Sequence, residues 1–138
     1  MNKLIAIALM VTVLACSPPP PPVEVAAPPA PPVSIQPKSL IGKTIEYKYG
    51  EDIFHVTLDS DSTLHWGVMA GHEKGVKASE TYFMESLDSA RIFIMWDEAS
   101  GIAVSQVLDF EHGKVYNHLM QNRELRHGHG EIRVLDKQ

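Results

Sequence analysis

From Lys43 to Val68 the chain alternates apolar and polar residues with hardly an interruption. In "KTIEYKY" Ile45, Tyr47 and Tyr49 fall on one face, and "IFHVTLD" and "STLHWGV" repeat the pattern with Phe54, Val56, Leu58, Leu64, Trp66 and Val68. A period of two with β-branched and aromatic residues makes half-buried strands. The connectors "GED" and "DSDS" supply Gly, Asp and Ser, which accept positive φ or bond their own backbone. Further strands are expected at 78–84, 91–96, 102–110, 115–121 and 132–135, joined by the hairpin-length pieces "SLDS", "DEASG" and "EHGK". Eight short strands in series predict an all-β, antiparallel, up-and-down meander. Closing it into a small barrel removes exposed edges and leaves an interior that is either filled or holds one small ligand. A two-sheet sandwich is the competing arrangement. The polar stretch 71–80, "GHEKGVKASE", reads as a mobile loop over one barrel mouth. No helix of ordinary length is expected, and 84–90 allows a single turn at most.

What precedes the alternation is of another kind. All ten prolines lie between Pro18 and Pro37, whereas all nine glycines follow Leu40. The proline run cannot build helix or ladder, because each Pro lacks a donor and fixes φ. It predicts a semi-rigid polyproline II spacer reaching roughly 60 Å when extended. Before it, Lys3 and the apolar stretch Leu4–Leu14 suit a signal-peptide core and are too short to span a bilayer comfortably. The stretch ends in "VLAC", which resembles the lipobox of bacterial lipoprotein signal peptides. That resemblance implies cleavage before Cys16 and lipidation of its thiol; Cys16 is the only cysteine, so no intrachain disulfide competes for it. The expected organisation is a signal peptide at 1–15, a lipidated Cys and Pro-rich linker at 16–39, and one domain at 40–138. The expected location is the bacterial envelope, with Cys16 in the lipid bilayer. Ser17 after the cysteine favours the outer membrane, facing the periplasm.

From Ser39 onward ten Lys/Arg stand against sixteen Asp/Glu. An acidic surface without clustered cations argues against nucleic acid as a partner. The chemistry-bearing candidates are few. In "FIMWDEASG" two acids follow Trp96; if the strand continues, Ile92, Ile94, Trp96 and Glu98 share the inward face. Glu98 is then either a turn acid in water or a carboxyl at the barrel mouth, where partial burial beside Trp would favour its protonated form. Tyr47 and Tyr49 are either amphipathic fillers or hydroxyl donors to a ligand. Trp66, Trp96 and Phe54 supply core or cavity wall. "RHGHGE" places His127, His129 and Glu131 at alternate positions, a comb that could chelate a divalent metal were it not flanked by glycines that suggest a flexible tail. No metal and no cofactor is expected, and nothing points to a particular protein partner.

Taken together, "LIGKTIEYKYG", "LHW", "ETYFMESLDSARIFIMWDEASG" and "VSQVLDFEHGKVY" resemble the MoaF-like domains, small barrels of the calycin (lipocalin-like) type. The order of pieces is also similar to phenolic acid decarboxylase, a related barrel whose "GK-x-F-x-Y-x-Y" strand and "SWTEPTG" strand end correspond to "GKTIEYKY" and "MWDEASG". The resemblance implies that Tyr47 and Tyr49 hold a substrate carboxylate and that Glu98 transfers a proton. The supporting arginine of that family falls on Gly75, with Lys74 and Lys77 nearby, and a lysine does not reproduce a bidentate guanidinium. Three functions follow as expectations. The first is an envelope lipoprotein whose barrel binds a small, partly apolar ligand, carboxylated or aromatic, through Tyr47, Tyr49, Glu98, Trp66, Trp96 and Phe54. The second is a lyase on hydroxycinnamate-type acids with Glu98 as acid and base. The third is a ligand-free interaction module.

Overall fold

The computed structural model describes residues 34–135, so the expected signal peptide, Cys16 and most of the proline run lie outside the described residues. Eight antiparallel strands form a closed barrel in chain order: β1 (Thr44–Tyr49), β2 (Asp52–Leu58), β3 (Thr63–Ala70), β4 (Lys77–Ser86), β5 (Arg91–Asp97), β6 (Ala103–Asp109), β7 (Lys114–Gln121) and β8 (Glu124–Leu135). The ring closes where β1 pairs with β8, from Thr44 opposite Leu135 to Lys48 opposite Glu131. This pairing is the barrel expected from the alternation and excludes the sandwich.

The inward face of each strand carries the apolar set. Ile45, Leu58, Leu64, Ile92, Ile94, Leu108 and Val115 are all fully buried at one end of the barrel. That end is plugged by the chain that precedes β1. A one-turn helix, α1 (Pro37–Leu40), starts on a proline, which suits the first helical position because its missing N–H would have no partner there. Leu40 is buried beneath the barrel, and the Ile35 amide donates to the Ser89 carbonyl at 2.7 Å. The packed chain therefore begins a few residues before the expected boundary at Leu40.

The largest departure from expectation is at the C-terminal side. The expected strand at 132–135 is the end of a twelve-residue strand, and "RHGHGE" is not a tail but its middle. β7 and β8 join through Asn122 and Arg123, both at positive φ (51° and 68°), which gives the twist a two-residue hairpin needs. Asn tolerates that conformation, whereas Arg is an unusual occupant of a place that glycine normally takes. The glycines of "HGHG" point inward. A Cβ on Gly130 would meet the Lys48 carbonyl oxygen and a Tyr49 ring carbon at 2.6 Å, so β8 can lie against β1 only without a side chain there. On Gly128 a Cβ would come within 3.0 Å of the Asn117 amide oxygen. Other corrections are small: β4 starts at Lys77, shortening the expected mouth loop to 71–76, and runs to Ser86 where a helical turn was allowed. The 71–76 loop is tight, with Gly75 N–H donating to Val68 and Val76 N–H to Glu73.

Gly130→Val should cost about 2–3 kcal/mol in urea denaturation, since the clash is with backbone that cannot yield without opening the β1–β8 ladder. Gly128→Ala, against the end of a movable side chain, should cost clearly less.

Candidate functional site

At the barrel end opposite α1 the interior is not filled. A cavity of about 170 Å³ opens there, and all six residues expected to form a site, Tyr47, Tyr49, Phe54, Trp66, Trp96 and Glu98, line it. Strand parity brings them together. Tyr47 and Tyr49 point inward from β1, Phe54 from β2, Trp66 from β3 and Trp96 from β5. A register shift beside Ile53 and Phe54 leaves Met69 unpaired at this rim, a bulge of the kind that re-aims side chains next to sites.

Glu98 stands one residue beyond β5, yet its amide donates to the Ile102 carbonyl at 2.8 Å and so prolongs the ladder by one pair. Its side chain thus keeps the inward parity of Trp96, while Asp97 is exposed. The turn then closes through Gly101 at φ 80°, whose N–H donates to the Glu98 carbonyl. Of the two acids after Trp96, Glu98 is the one at the mouth.

Three polar lining residues were not foreseen. Gln106 on β6 and Asn117 on β7 face each other across that ladder, and Glu73 reaches the cavity from the 71–76 loop. The inward parity of Gln106, between Val104 and Leu108, was a signal available in the sequence. Asn117, between Val115 and Leu119, carried the same signal. Glu73 had none, because loop geometry is not periodic.

The electrostatics are unusual for so small a space. The Tyr47 hydroxyl, the indole nitrogens of Trp66 and Trp96, and the side-chain oxygens of Gln106 and Asn117 are buried with no hydrogen-bond partner in the protein. The Tyr49 hydroxyl receives one long bond, 3.4 Å, from the Gln106 amide nitrogen. Buried polar groups ordinarily find partners, so such a set inside one cavity calls for water or a ligand to complete it. Burial pushes the Tyr47 and Tyr49 phenols far above their ordinary range, with the neighbouring Tyr49 adding to the shift at Tyr47; both stay neutral donors.

The Glu98 carboxyl is pushed up, first by burial, then by the nearby charges of Glu80 and Glu73. The Ser100 hydroxyl, donating at 3.0 Å, opposes the rise. The Trp96 N–H also favours the anion slightly, though it falls short of hydrogen-bond geometry. Among the residues lining the cavity there is no Lys, Arg, His, Ser or Cys. Lys74 and Lys77 are exposed and outside it, and Gly75 has open space where the decarboxylases carry arginine.

His127, His129 and Glu131 do not converge. They lie along the outer face of β8 without gathering their ligand atoms into one metal-holding group among the described residues, and Glu131 pairs with Lys114 at 3.4 Å. Asp109, Glu111 and His112 come closer to a metal-holding group, but the Arg91 guanidinium already sits there, 3.1 Å from Asp109 and 3.6 Å from Glu111.

The sequence model of the MoaF-like family matches residues 41–133. The chain belongs to the MoaF-like family. No curated protein matches it. Among solved structures, this MoaF-like chain is similar to a crystal structure from Burkholderia vietnamiensis described as a "putative beta-lactamase", at 20% identity and a TM-score of 0.64, covering 70% of this chain and 95% of that one. At that identity the likeness concerns the fold.

Because its pKa is raised on folding, Glu98 binds a proton more tightly in the folded than in the unfolded chain. Its ionised form therefore weakens the fold at neutral pH, and stability returns as pH falls through the raised folded value towards the ordinary 4.5. Glu98→Gln should melt higher than wild type near neutral pH, with the gap closing as pH falls. A gap independent of pH between these limits would mean that the carboxyl is fully solvated.

Proposed function

We propose that the barrel is a small-molecule-binding domain carried on the bacterial envelope by a lipidated Cys16. The observation that carries the binding reading is the set of unpartnered donors and acceptors, Tyr47, Trp66, Trp96, Gln106 and Asn117, aimed into one apolar cavity. An interaction module with a packed interior would have no reason to leave five buried polar atoms without partners, each of which costs about 1–3 kcal/mol. Tyr47 and Tyr49 donate hydroxyls, the indoles and Phe54 form the walls, and Glu98 reads the ligand at the mouth.

The lyase alternative has support from Glu98, whose raised pKa suits an acid–base role, and from the two phenols. It lacks a cation to hold a carboxylate, and the mouth offers Glu73 instead. We therefore favour binding without turnover: p-coumarate incubated with the domain at high concentration should keep its ultraviolet band. The acyl-transfer chemistry of a β-lactamase finds no serine on the cavity wall, so it too is not favoured.

For the anchor, the reading rests on the "VLAC" stretch and the lone cysteine. Among the described residues no helix is long and apolar enough to cross a membrane, so attachment of this kind would fall to acyl chains. Cys16→Ser should abolish incorporation of labelled palmitate and move the protein from the membrane pellet to the soluble fraction.

Tyr47→Phe separates binding from folding. It deletes a buried hydroxyl that has no partner, so thermal stability should hold or rise. Affinity for the molecule that co-purifies with the domain, identified by native mass spectrometry, should fall about tenfold, the worth of one buried hydrogen bond. A domain that carries no small molecule and binds no apolar probe would sink the binding reading.

A further inference from the structure

The cavity also carries information on the charge of what it holds, and this inference rests on the binding reading above. Its ionisable lining apart from the two phenols consists of Glu73 and Glu98 alone. Glu80 adds to the same field. It lies on the inward parity of β4, one step beyond the Tyr82–Trp96 pair, and its charge raises the Glu98 pKa along with that of Glu73. The rings of Trp66, Trp96, Phe54 and Tyr49 line the same cavity, with Tyr49 and Phe54 edge to face at 6.0 Å. Carboxylates at a mouth lined by aromatic rings attract cations twice over, by charge and by the negative ring faces. An anion would meet the opposite field: a like charge about 5 Å from Glu98 is disfavoured on the order of a hundredfold, even in a fairly polar surround.

Size narrows the class further. About 170 Å³ is close to the roughly 150 Å³ that accepts a benzene ring in a dry protein cavity. At the deep end Tyr47, Gln106 and Asn117 offer unpartnered polar atoms, whereas the mouth offers only acids. We infer that the ligand is an organic cation, a single aromatic ring on a short arm ending in a protonated amine, with the ring between Trp66 and Trp96 and the ammonium at Glu98 and Glu73. This departs from the carboxylated ligand that the decarboxylase resemblance implies.

The test uses three probes of one shape and different charge: 2-phenylethylamine, 2-phenylethanol and phenylacetate. Each is titrated calorimetrically into the folded domain at neutral pH and low salt, with toluene as an uncharged reporter of the cavity. The amine should bind about tenfold more tightly than the alcohol, and phenylacetate should bind more weakly than either. Glu73→Gln combined with Glu98→Gln should erase the preference for the amine over the alcohol. If the alcohol or the acid binds as well as the amine, the charge inference is overturned while the binding reading stands. If toluene binds and none of the three does, a single-ring amine is excluded as the ligand class. Should toluene fail as well, and no small molecule co-purify with the domain, both readings fall together.

Discussion

Everything in this molecule depends on β8 reaching β1. Seven strands would leave two open edges and no enclosed interior, whereas the eighth closes the ladder and turns a curled sheet into a container. That closure is a steric matter before it is a matter of hydrogen bonds. The Tyr49 ring and the Lys48 carbonyl occupy the space that a side chain at position 130 would need. Glycine is poor in a strand because it packs nothing and costs entropy, so its presence twice on one inward face marks a place where something else fills the volume. Here the filler is an aromatic residue that lines the cavity. The same contact that shuts the barrel thus holds Tyr49 where its hydroxyl can be reached by Gln106.

The barrel is also polarised along its axis. The end beneath α1 is dry and complete: Ile45, Leu58, Leu64, Ile92 and Leu108 leave no room, and Leu40 covers them. Toward the other end the inward positions change character, from Ile45 to Tyr47 to Tyr49 along β1, and from Leu108 to Gln106 along β6. Two residues of strand, about 6.6 Å, therefore separate a packed core from a layer of polar groups. The packed core and the polar-lined cavity occupy successive layers of one structure, and the buried phenols and amides of the middle layer are tolerated because the layer below supplies the apolar burial.

Much of this was legible in the sequence because alternation encodes parity directly. Once "TIEYKY" and "RIFIMWDE" are read as strands, the inward side of Tyr47, Tyr49, Trp96 and Glu98 follows from counting by two. The missing parts fail for physical reasons. Most of β8 escaped notice because the signal for a two-residue hairpin is Asn-Gly, and here Arg123 takes the second left-handed position. The glycines that closure requires also imitate a flexible tail. Gln106 and Asn117 have the right parity, but a polar residue among apolar neighbours invites the assumption that it faces water. Glu73 depends on a tight loop, and α1 is a single turn made by packing of Leu40 rather than by any helical pattern.

One consequence concerns how a MoaF-like barrel can change what it binds without changing its fold. The walls come from strands locked by the ladder, so they set size and leave charge almost untouched. Charge enters at the ends of strands and in loops, where Glu98 prolongs β5 by a single pair and Glu73 rides on the 71–76 turn. The residues implied by the decarboxylase resemblance illustrate the division. The two tyrosines and the glutamate, fixed by strand parity, have counterparts here, while the loop cation has none and an acid lines the mouth instead. A loop substitution alters no core contact, so the sign of the field at the mouth can reverse at little cost to stability. Resemblance carried by strand motifs is then a sound guide to shape and a poor one to the charge at the mouth, since that charge sits at a strand end and in a loop.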